Sequence, residues 1–411
     1  MDFEIRPIAD TDEDWERFWP VLEAAFGETT SEGEAGEWRA NFEFDRSLAA
    51  FDGERIVGTG GAYTMELTLP GLTAVPVGGL TAIAVLPTHR RRGILSAIID
   101  RHLRDVEAHG EPMSVLIASE SAIYGRFGYG PATWGSRLEI DTSHGAFLDP
   151  PETPGRLRML DSGEGAKLLP PFYDRARRAQ PGELTRSSEA WASYFRDPEW
   201  WRHGASKHYD VVYETRGGTI DGWLSYRVEN HWDGELPANA VRVRDLHALT
   251  PAARTALWRY CLDIDLASSV KLITRPVDDP LRWLLADPRR LRTTQMHDDL
   301  WVRLLDLPVA LAARRYATHD RLVLEVVDQL RPANHGCFAL EGGPDGASCE
   351  RTGDDADLRL NIAELGAAYL GGGRFATLAA AGRVIERTPG ALRRADRLFA
   401  SDPAPFCTTS F

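Results

Sequence analysis

Apolar residues recur every three to four positions from Trp15 to Phe26. Trp15, Phe18, Trp19, Leu22 and Phe26 fall on one face, so this stretch is predicted to be an amphipathic helix. Before it, "FEIRPI" alternates like a short strand. After it, "SLAAFD" and "RIVGTGGAYTMELTLP" flank an Asp52-Gly53 turn, and "AVPVGGLTAIAVLP" continues in extended character. A second helical stripe is the clearest in the chain. Ile94, Leu95, Ile98, Ile99, Leu103 and Val106 share a face, and Gly110 offers a C-terminal stop. "SVLIAS", residues 114–119, then reads as a short buried strand, completing a strand, loop, helix, strand succession.

Pro150, Pro151 and Pro154 punctuate a first boundary, and a weaker version of the same pattern follows. "HYDVVYET" and "TIDGWLSYRVEN" flank Gly217-Gly218 as a hairpin. "AVRVRDLHAL" is a strand, "TPAARTALWRYCL" a helix capped by Thr250 with Pro251 at its first position, and "SVKLIT" a strand. From about 293 the texture changes. "DDLWVRLLDL" is a strand, a helix runs from Pro308 through Tyr316, and "RLVLEVVD" is a strand. "CFALEGG" with "SCERT" suggests a hairpin, and "NIAELGAAYL", "RFATLAAAG" and "ALRRADRLFA" are short helices. Mixed α/β (α+β) segments at 1–148, 149–292 and 293–411 are the expected organisation.

At 411 residues, 43% hydrophobic and 26% charged, the chain has material for two or three globular cores. A net charge of −14 argues against nucleic acid, which needs a basic face, and suits a cationic small molecule. Cys261, Cys337, Cys349 and Cys407 show no metal-like spacing, so reduced thiols and no metal are expected. "MDFEIRPIAD" lacks an apolar leader core and no run reaches membrane-spanning length, so a cytoplasmic protein with no membrane partner is expected.

Against that acidic background, "AVLPTHRRRGILSAIID" concentrates Arg90, Arg91 and Arg92 just before Gly93, where a strand gives way to a helix. A helix start carries unpaired N–H groups and partial positive charge, which suits phosphate. The alternative is a solvated basic turn, but the lock between strand and helix favours a bound pyrophosphate. Neither a GxGxxG fingerprint nor a Walker A lysine is present at this junction. The junction "ALTPAAR" in the middle segment has neither an arginine run nor a glycine.

The loop resembles the R/Q-x-x-G-x-G/A element of GCN5-related N-acetyltransferases: Arg90 and Gly93 match, and Leu95 departs from Gly/Ala. Together with "ASESAIYGRFGYGPAT", "RLLDLPVALAARRY", "DADLRLNIAELGAAYLGG" and "ADRLFASDPAPFC", the whole chain resembles the enhanced intracellular survival (Eis) family of acetyltransferases. The resemblance implies three domains: a GNAT domain binding acetyl-CoA, a GNAT-like domain without cofactor, and a sterol carrier protein-like domain supplying the C-terminal carboxylate. It also implies that Ile83, Ala84 and Val85 line the acetyl and pantetheine arm, with the Val85 N–H meeting the oxyanion. Arg91, Arg92, Gly93, Ile94, Leu95 and Ser96 would surround the pyrophosphate. Ser119 and Glu120 would touch the cofactor, although alone they read equally as a helix cap.

Acetyl transfer from a thioester to an amine needs a neutral amine, a stabilised oxyanion and a proton for the departing thiolate. The resemblance puts the general acid at Tyr124; a core tyrosine with a satisfied hydroxyl is the other reading of that residue, and is the reading taken for Tyr129. It makes Phe411 the base through its terminal carboxylate. Frayed ends are the usual fate of termini, but Phe406 and Phe411 are anchors, and Pro403 and Pro405 lower the cost of ordering. Phe26, Glu28 and Trp38 could line an amine pocket, with Trp38 as a plain core residue the other reading. Ser410 stands where the family often has an acid, and His89 reads as a structural loop residue. The expected function is acetyl-CoA-dependent N-acetylation of small cationic amines, aminoglycosides among them. Acetylation of a protein or peptide lysine, or a lipid-binding scaffold role, are the alternatives. By resemblance the protein is a homo-oligomer, a hexamer.

Overall fold

The computed structural model describes residues 3–411. The chain forms two compact units: one contains the residues up to Thr133, Asp298–Pro405 and Thr409–Phe411, the other Trp134–His297 and Phe406–Thr408. No helix among the described residues is long and apolar enough to cross a membrane.

In the first unit, β1 (Glu4–Pro7), β2 (Leu48–Asp52), β3 (Arg55–Thr68), β4 (Ala74–Val85), β5 (Met113–Ile117) and β6 (Gly130–Pro131) belong to one sheet. Helices α1 (Asp12–Phe26), α2 (Glu32–Asn41) and α3 (Ile94–Ala108) accompany it, with a short α4 (Ser121–Tyr124) after β5. The α1 stripe buries Trp15, Phe18, Val21 and Leu22, and α3 buries Ile94, Ile98, Ile99, Leu103 and Val106 as its periodicity predicts. Each such side chain contributes about 1.5–3 kcal/mol of burial, so α3 is firmly seated.

The second unit holds β7 (Trp134–Asp141), β8 (Arg156–Leu160), β9 (Tyr209–Glu214), β10 (Ile220–Glu229), a small hairpin of β11 (Trp232–Asp233) and β12 (Leu236–Pro237), β13 (Asn239–Ala248), β14 (Ala267–Pro276) and β15 (Arg292–Asp298). Its sheet runs β15-β7-β14-β13-β10-β9-β8, with β13 and β14 parallel. Helices α5 (Ser162–Arg177), α6 (Ser188–Arg196) and α7 (Pro251–Leu262) belong to it.

β16 (Leu300–Leu304) returns to the first sheet, whose order is β1-β2-β3-β4-β5-β16-β6. It pairs antiparallel with β5 over its whole length and with β6 at Trp301 and Val302. β7 and β16 therefore lie on the far side of the boundaries expected at 148 and 292. Sheet membership depends on pairing across about 180 residues, which no local pattern encodes. The remaining strands, β17 (Asp320–Val327), β18 (Gly336–Gly343), β19 (Gly346–Arg351), β20 (Leu358–Asn361) and β21 (Val384–Glu386), form a five-stranded sheet within the first unit. Arg331 fastens this part to α3 through Asp100 and Glu107, at 3.1 and 2.9 Å.

Candidate active site

The first sheet divides where its parallel pair ends. β4 and β5 pair only at Gly78↔Ser114 and Gly79↔Val115. Beyond that rung, β5 turns wholly to β16, and the β4 edge from Leu80 to Val85 has no strand partner on that side among the described residues. On its other side β4 carries a register shift opposite Thr59–Gly61. Ala82 sits there at φ 52°, a left-handed conformation an alanine adopts at a cost, and the Thr59 hydroxyl donates to its carbonyl at 2.8 Å. The bulge breaks the alternation of backbone groups beside Ile83, Ala84 and Val85. Ala84 is buried, and Ile83 and Val85 are half-buried. Ala82 and Thr59 escaped the sequence reading, because an alanine and a threonine in a strand carry no signal.

The loop after β4 delivers the start of α3. Arg91 is left-handed at φ 62° and Gly93, at φ 88°, occupies the N-cap position. Among the described residues no side chain caps this helix, and its first turn has no acidic residue. A Cβ at Gly93 would meet no atom within 4 Å, so the approach to the N–H groups is open. Arg91, Arg92, Gly93 and Ser96 are exposed, Ile94 is buried, and Leu95 packs against the cluster of Ile99, Leu116 and Tyr124. Four backbone donors, a dipole and two arginines together suit a polyanion such as a pyrophosphate. His89 is held between Thr88 and Asp52, at 2.8 and 3.3 Å, as a loop-fixing residue.

Tyr124 ends α4 and is 5% exposed. Burial raises its hydroxyl pKa, a hydrogen bond with Ser119 works the other way, and the Glu120 charge adds to the rise. Tyr124 therefore keeps its proton well above neutral pH. Its ring meets Tyr129 edge-on, centroids 6.1 Å apart. Tyr129 is fully buried with its hydroxyl 2.8 Å from Ser114 Oγ, which donates to the Gly78 carbonyl at 3.0 Å.

Phe411 reaches the adjacent residue. A Cβ on Gly79 would lie 3.0 Å from its ring, and its edge faces Tyr63 at 6.3 Å and 82°. Burial, with help from Glu43, pushes the Tyr63 hydroxyl up to about 12. The last residue of the chain is thus seated on the sheet, and Gly79 is the seat. The glycine pair in "AVPVGGL" was the available signal, readable from sequence as close approach without naming what approaches.

Phe26 and Trp38 lie on α1 and α2, and Glu28 lies in the turn between them. Phe26 ends α1 half-exposed, Glu28 is exposed just beyond, and Trp38 is 39% exposed, tilted against Trp19 at 5.9 Å. The core alternative for Trp38 does not hold, since α2 buries none of its residues. Arg90 reaches this corner, its guanidinium 3.4 Å from the Ala25 carbonyl.

Comparison with known proteins agrees with this architecture. Residues 4–132 and 182–304 each match an acetyltransferase (GNAT) domain, and residues 307–408 match a sterol carrier protein domain. The chain is 41% identical to an uncharacterized N-acetyltransferase of Streptomyces avermitilis, covering 97% of this chain and 98% of that one. It is 34% identical to the N-acetyltransferase Eis of Mycobacterium tuberculosis, over 95% and 96% of the two chains. The crystal structure of Eis1 from Mycobacterium abscessus superposes with a TM-score of 0.88 at 35% identity, covering 99% of this chain and 100% of that one. With an acetyltransferase unit, a second of the same kind and a sterol carrier-like domain all in place, the chain belongs to the Eis family of GCN5-related N-acetyltransferases and is an N-acetyltransferase.

Proposed function

We infer that the chain transfers an acetyl group from acetyl-CoA to the amine of a small cationic acceptor, with aminoglycosides the first class to test. Acetyl-CoA supplies the activated thioester. The observation that carries this reading is the convergence on Gly78 and Gly79: the Tyr124–Tyr129–Ser114 chain ends on one and Phe411 rests on the other, where β4 and β5 part.

Arg91, Arg92 and the backbone of Gly93 to Ser96 bind the pyrophosphate, and the uncapped start of α3 supports that assignment. The β4 edge at Ile83, Ala84 and Val85, unpaired on the β5 side among the described residues, would hold the pantetheine arm, and the Val85 N–H would serve as a donor to the acetyl oxygen. Ser119 and Glu120 flank the same end. Tyr124 holds a proton for the departing thiolate, which the upward shift of its pKa favours. The Phe411 carboxylate orients the acceptor ammonium and passes its proton on through water. Phe26, Glu28 and Trp38 attract the cationic acceptor by charge and ring faces. The second acetyltransferase unit carries no cofactor.

The test is a panel of amines assayed for free thiol release with acetyl-CoA: aminoglycosides, polyamines and a lysine peptide. Turnover is expected with small polycationic amines. Turnover confined to the lysine peptide would replace this acceptor class, and tight acetyl-CoA binding with no turnover of any amine would point to a binding protein.

A further inference from the structure

Four polar groups meet at the last rung of the parallel pair, all inside the first unit. Ser114 Oγ donates to the Gly78 carbonyl at 3.0 Å, spending its one proton. It therefore accepts from the Tyr129 hydroxyl at 2.8 Å and from His102 Nε2, also at 2.8 Å. Ser114 and Tyr129 are fully buried and His102 is 4% exposed. Burial and the nearby Arg46 charge push the His102 imidazole down to about 3, so it is neutral and its proton sits on Nε2.

One hydroxyl thus joins β4 through Gly78, its own strand β5, α3 through His102, and the segment that follows Tyr124 through Tyr129. These are the pieces that carry the β4 edge, the cofactor loop and the acid. A seryl hydroxyl has one donor and two acceptor sites, and all three are used here. An apolar core would tie the same elements together without fixing their angle, whereas a fully satisfied buried network fixes geometry.

We propose that Ser114 is a positioning residue, whose hydroxyl sets Tyr124 relative to the β4 edge at the point where the strands part. The inference rests on Tyr124 being the acid. It goes beyond that reading by naming what holds the acid in register, and it assigns His102 and Tyr129 as the two donors that hold Ser114.

The test compares Ser114→Ala with Tyr124→Phe, His102→Leu and Tyr129→Phe, each checked by circular dichroism and thermal melting. Ser114→Ala is expected to lower kcat by at least ~10-fold while the calorimetric Kd for acetyl-CoA changes less than about threefold, because His102 lies more than two turns along α3 from the cofactor loop at Gly93. Its alkaline limb of kcat should move to lower pH, since loosened packing admits water to Tyr124 and relieves the burial that raises its pKa. A folded Ser114→Ala enzyme with wild-type kcat and pH profile overturns the proposal, as does a Kd that weakens as much as kcat falls. Should Ser114→Ala not fold, His102→Leu and Tyr129→Phe carry the test: each removes one donor and should give a smaller fall in kcat at unchanged Kd, and wild-type kcat in both overturns it. Full activity in Tyr124→Phe would instead strike the underlying reading, which separates the two failures.

Discussion

The helix that joins the two strands of the parallel pair starts differently in the two acetyltransferase units. In the first, α3 begins at a left-handed glycine with no capping side chain. In the second, Thr250 caps α7 by accepting from the Ala253 N–H at 3.2 Å, and Pro251 at the first position has no N–H to offer. The strands differ in the same sense. β4 and β5 share two rungs, whereas β13 and β14 stay paired at five positions from Asn239↔Ala267 to Val243↔Leu272. Past that point Arg275 donates to the Leu246 carbonyl at 3.0 Å and to Asp279 at 2.7 Å, with the Phe406 ring 5.8 Å from its guanidinium. Both units have a strand, a helix and a parallel strand. What separates them is whether the polar groups at the end of that pair are already spent on the protein itself. On the account proposed here, a cofactor binds where they are not.

Several changes would break or sharpen this contrast. Adding residues after Phe411, or deleting it, should have the largest effect. The carboxylate must lie within hydrogen-bond reach of the amine or its water, and a shift of ~1 Å can cost about 100-fold, so transfer should be lost while acetyl-CoA binding persists. An N-terminal tag should leave turnover unchanged, and equal activity from the two tagged enzymes would make the terminus a bystander. Tyr124→Phe comes next: kcat should fall by ~100-fold with the acetyl-CoA Kd nearly constant. In the wild type, the alkaline limb of kcat belongs above pH 10, because burial raises this hydroxyl and activity is lost only as it deprotonates. A limb well below pH 10 would assign the acid to another group.

Gly93→Val should raise the KM for acetyl-CoA about tenfold, since a β-branched residue at φ 88° is strained and would distort the loop. The counterpart in the second unit gives the smallest effect. Thr250→Ala removes the α7 cap, and should cost about 1 kcal/mol of stability without creating a second binding site. Cofactor binding gained in that variant would mean the cap alone had closed the second unit.

Much of this contrast was legible in the chain. The α3 stripe, the arginine loop before Gly93 and the Thr250-Pro251 start of α7 each depend on residues within a few positions of one another. Other parts were not. The sheet exchange of β7 and β16 rests on pairings far apart in sequence. α5 carries Pro170 and Pro171 in its middle, where proline ordinarily ends a helix, so the pattern does not announce it. Arg275 is an unremarkable arginine in a strand until its partner carbonyl is known. Ala82, Ser114 and the Gly79 seat act through what approaches them, which sequence does not display.

The most direct measurement is a calorimetric titration of the whole chain with acetyl-CoA, repeated on Gly93→Val. The account predicts one molecule bound per chain, with affinity markedly weakened by the Gly93 change. Two molecules per chain, or binding that Gly93→Val leaves untouched, would contradict it.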